Sequence, residues 1–167
     1  MVGDALMQEM VPDIPGFWNE LASESHTELE ESTLAMLRLE EVIFILHLFD
    51  RVMFLEFGAE NRDVFMDALY QEVRERLSRE YVSGMVAAAF RDLANETYNA
   101  RQTEYGAYKL FPDKQEGSLR KTLFWEYTKK MFLTAGLTNP ALMVVACKRA
   151  LGLFDIAREV VDKCIKQ

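Results

Sequence analysis

Cysteine, proline, glycine and histidine are all scarce in this sequence, and each scarcity removes a class of structure. Two cysteines in 167 residues, Cys147 and Cys164, cannot staple a small secreted domain. Their spacing fits no zinc or redox motif, and on one helix they would stand about 25 Å apart, too far for a disulfide. Four prolines and eight glycines, gathered where apolar periodicity breaks, argue against many short strands and for long helices. With only His26 and His47, no Glu-x-x-His pair, no Gly-x-Ser-x-Gly elbow and no phosphate-cradling glycine motif, the sequence points to no catalytic residue, no metal and no cofactor.

Positive charge is the minority. Nineteen basic against 27 acidic side chains give a formal charge of −8, which disfavours nucleic acid and anionic headgroups as partners. The most apolar run, residues 42–55, contains His47, Asp50 and Arg51 and falls short of the roughly 20 apolar residues a membrane span needs. Asp4 stands where a signal peptide requires positive charge, so the reading predicts no export signal and a cytoplasmic location.

What is present suits a packed core: half the residues are hydrophobic, too many for a disordered chain. The pattern predicts an all-α fold, an antiparallel bundle of about five long helices (residues 25–167) with a short N-terminal arm (residues 1–24) packed on it. Pro12, Pro15 and Gly16 break the arm, and Phe17, Trp18 and Leu21 give it an apolar side. Pro12 and Pro15 have the spacing of a PxxP ligand but lack a basic flank.

Thr27 and Glu30 have capping-box spacing, and no proline or glycine follows until Gly58, so a helix is expected over residues 27–57. A second should begin at Asn61, with Phe65, Leu69, Val73 and Leu77 inward. A third is read over residues 79–105, where Gly84 and Ala88 would let a neighbour approach closely. After a loop over residues 106–117, Ser118 is expected to cap a helix that Gly136 ends, and Asn139-Pro140 opens the last one.

Two constellations stand out. Glu40, His47, Asp50 and Arg51 lie at helical spacing within the apolar helix and could form a polar site, with the imidazole tuned by carboxylates. A group satisfying itself inside the bundle is the simpler account. Tyr98, Arg101, Tyr105 and Tyr108 follow i, i+3, i+7, i+10, with Trp125 placed to join them, and these residue types are enriched at interaction surfaces. If that row is a contact surface, Arg101→Ala and Tyr105→Ala should weaken association with little loss of stability. The sequence thus favours a non-enzymatic helical interaction module that binds a protein partner or itself, as a homodimer. The alternatives are a binder of a small apolar ligand walled by Phe44, Phe49, Met53 and Phe54, and an enzyme or metal site at His47.

Overall fold

The computed structural model describes residues 13–81, 86–112 and 118–165. Among them are six helices and no strand: α1 (Ile14–Glu24), α2 (Glu31–Phe57), α3 (Ala59–Tyr81), α4 (Val86–Gly106), α5 (Leu123–Ala135) and α6 (Pro140–Ile165). The all-α bundle expected from the sequence is therefore the architecture, with the arm contributing a helix of its own. Pro12 and Gly84 lie outside the described residues, as does part of the loop over residues 106–117.

Helix α2 is the axis of the bundle and packs against all five others. Every residue from Leu39 to Asp50 is buried, which explains why this stretch is apolar on nearly all sides instead of amphipathic. Phe44 stacks on Tyr127 of α5 with 3.7 Å between ring centroids and meets Tyr105 and Phe124 edge to face. The run does not stay buried to its end, because Phe54 and Leu55 emerge into solvent. Leu69, Val73 and Leu77 of α3 and Ala146, Ala150, Phe154, Ala157 and Val161 of α6 face the core as their periodicity requires.

Turn chemistry explains both the boundaries that were expected and those that shifted. Gly58 (φ 71°) and Gly136 (φ 67°) end α2 and α5 in conformations with positive φ, and the Asn139 side chain accepts from the Ala141 N–H beside Pro140. Thr27 does not cap α2. Its N–H donates to the Ala22 carbonyl and the His26 N–H to Ser23, with His26 itself at φ 54°, so both residues close the C-terminus of α1 in a Schellman turn. The chain is still turning there, and α2 starts at Glu31. Ser118 does not cap α5 either. The Leu123 N–H is held by the Lys109 carbonyl, and Thr122 becomes the N-cap, accepting from the Trp125 N–H.

Candidate functional site

Carboxylates and an imidazole inside an apolar helix need partners, because a buried charge without one costs several kcal/mol. Helix α2 finds them at three stations along its length. At the first, Glu40 receives a forked pair of hydrogen bonds from Arg101 of α4 (2.6 and 2.8 Å), and the Tyr105 hydroxyl lies 3.5 Å from the same carboxylate. Arg101 also meets Glu104, which Lys130 of α5 holds at 2.9 Å.

At the second station Glu41 accepts from Arg149 of α6 (2.9 Å) and from the Trp18 indole N–H of α1 (2.8 Å). Arg149 reaches on to Asp13 and lies over the Phe17 ring, 4.5 Å from its centroid. One guanidinium thereby ties α1, α2 and α6 together.

The third station is His47. Arg51 Nε can only donate, so His47 Nε2, 3.2 Å away, is the bare acceptor. The proton sits on Nδ1 and is donated to Gln102 Oε1 at 2.7 Å. Arg51 also donates to the carbonyls of Tyr105, Gly106 and Tyr108, closing the C-terminal end of α4. Asp50 takes a two-pronged pair from Arg62 of α3 (2.6 and 3.0 Å). Together with Tyr98, these residues border an open cleft of about 550 Å³ between α2, α3 and α4.

The two constellations read from the sequence are thus regrouped. His47, Asp50 and Arg51 share one place, but Glu40 leaves them to pair with Arg101, from the other constellation. The tyrosine row is not an open face. Tyr105 is 0% exposed, Tyr98, Arg101, Tyr108 and Trp125 are half-buried, and Tyr98 stacks on Tyr70 at 4.0 Å. Burial, helped by the nearby Asp50 charge, pushes the Tyr98 phenol up to about 12, and burial beside Glu40 pushes that of Tyr105 higher still. Phe44 and Phe49 are filled core, so of the apolar walls once expected only Phe54 borders the cleft, whose lining is mainly polar. His26 is an exposed turn residue.

Sequence reasoning missed Glu41, Arg62, Gln102 and Arg149 as partners. One signal was available: three carboxylates within residues 40–50 of an apolar helix require cations from other helices. Among the described residues, no group of three or more His, Cys, Asp or Glu side chains could hold a metal ion, and no helix is long and apolar enough to cross a membrane.

Burial lowers the His47 pKa from 6.5, Arg51 and Arg62 add to that effect, and Gln102 and Asp50 oppose it. The unfolded chain therefore binds more protons than the folded one as pH falls through the ordinary histidine range. The contribution of His47 to stability is fully present above 6.5 and is lost as pH falls from there toward the lowered value. Denaturant titrations between neutral and mildly acidic pH should show a steeper acid loss in the native protein than in His47→Gln. Equal slopes would remove His47 as the cause.

Compared with known proteins, the chain matches no family model, no curated protein and no solved structure.

Proposed function

We propose that the protein is a non-enzymatic helical interaction module of the cytoplasm, which self-associates and presents its outer surface to a protein partner. The observation that supports this reading is how the fold uses its polar groups. Both nitrogens of His47 are engaged, and Glu40, Glu41 and Asp50 each face an arginine, so the groups best suited to acid, base or nucleophilic work serve as internal fasteners. Large apolar side chains are left outside instead: Leu55, Val64, Leu133, Val144 and Val145 are all about half exposed or more. Buried Cys147 suits a reducing compartment.

Sedimentation velocity over a concentration series tests self-association directly. A reversible dimer is the expected result; a monomer at every concentration would sink it. The cleft beside His47 favours a second reading, a small polar ligand in place of an apolar one, because Asp50, Arg62, Tyr98 and Gln102 border it. A copurified ligand seen by native mass spectrometry, and lost from Gln102→Ala, would promote that reading over the first.

A further inference from the structure

Helix α6 spans 26 residues, and its inner face is spent on the core. Its outer face carries Ala141, Val145, Lys148, Gly152, Asp155, Ile156 and Glu159, which fall within one stripe at 100° per residue. Val145 is 47% exposed and Ile156 39%, on either side of Gly152, with Val144 at 48% along the stripe's edge. Among the described residues, nothing calls for a glycine at Gly152: it needs no positive φ, and a Cβ placed on it would meet nothing within 4 Å. A glycine in mid-helix weakens the helix relative to alanine, so its absence of internal purpose is informative. Among the described residues, neither Lys148 nor Asp155 has an ion-pair partner.

We infer that this face of α6 is where a second copy of the chain docks, with the two α6 helices antiparallel and crossing at Gly152. The inference rests on the self-association proposed above and assigns its surface. In a two-fold arrangement centred on Gly152, residues equidistant from it on opposite sides face each other. Lys148 of one copy then meets Asp155 and Ile156 of the other, and Val145 meets the aliphatic stem of Glu159. The symmetry makes each charge contact twice. A parallel pairing in register would set Lys148 against Lys148 and Asp155 against Asp155, so charge selects the antiparallel form. The missing side chain at Gly152 lets the two axes approach closely enough for Val145 and Ile156 to interdigitate across the crossing.

Gly152→Ala separates this role from a structural one, because the two predict opposite signs. Measured at a concentration where the chain is monomeric, its melting temperature should rise or hold. Its dimer dissociation constant should rise at least about tenfold. Lys148→Glu and Asp155→Lys should each weaken the dimer, and the double variant should regain most of the affinity. A native dimer that none of these changes perturbs overturns the α6 assignment and leaves self-association standing. A native chain that never dimerises overturns both. A double variant weaker than either single one overturns the antiparallel register.

Discussion

Replacing Arg101 by methionine is expected to destabilise the protein by about 3–5 kcal/mol, read as a lower midpoint in urea denaturation at neutral pH. Methionine keeps the stem and removes the fork. Glu40, 3% exposed, would lose the guanidinium that meets both of its oxygens and be left with a weak contact to the Tyr105 hydroxyl at 3.5 Å. The magnitude decides between two pictures of the residue. On an open contact face, losing Arg101 would change stability by no more than about 0.5 kcal/mol. As a buried counter-charge it is needed because its partner cannot reach water. The companion variant Glu40→Leu with Arg101→Met should recover most of the loss, since removing both halves of a buried pair leaves no orphan. A single-variant loss below about 1 kcal/mol would return Arg101 to the surface reading.

The same pair shows how far the sequence could be read. Local rules carried the helices and most of their ends: Gly58, Gly136 and Asn139-Pro140 act through their own backbone or side chain, so they punctuate the chain wherever it packs. Thr27 and Ser118 misled because a contact elsewhere decided the outcome. The C-terminal turn of α1 claims Thr27, and the Lys109 carbonyl moves the start of α5 to Leu123. Within one helix, spacing correctly brought His47 to Arg51, four residues on. Across helices spacing is silent. Glu40 and Arg101 are 61 positions apart and Glu41 and Arg149 108, and only the packing of α4 and α6 on α2 says which guanidinium each carboxylate meets. For that reason the sequence placed the fasteners in two separate groups, and a row of tyrosines with one arginine reads as a surface although its Tyr105 is buried and the others are half-buried.

Trp18→Ala is expected to cost a further 3–5 kcal/mol or so, and to release α1 before the rest of the bundle. At 11 residues α1 is too short to persist alone in water, so its helix exists because Ile14, Trp18, Leu21 and Ala22 are buried against its neighbours. Trp18 is 1% exposed, stands edge-on to Phe132 with centroids 6.2 Å apart, and holds Glu41 through its indole N–H. Truncation removes the largest of these side chains together with one of the two donors to a buried carboxylate, while Arg149 still covers the other oxygen. Trp18→Phe keeps most of the apolar area and deletes the N–H, so it should lose only about 1–3 kcal/mol. The difference between the two variants then measures packing apart from the hydrogen bond. Trp125, the other tryptophan, remains as a fluorophore for global unfolding, and amide exchange reports α1 separately. If the α1 amides stay protected in Trp18→Ala, the helix is held by the Asp13–Arg149 pair and the stacking of Arg149 on Phe17 instead. In that event Arg149→Met should be the change that frees it.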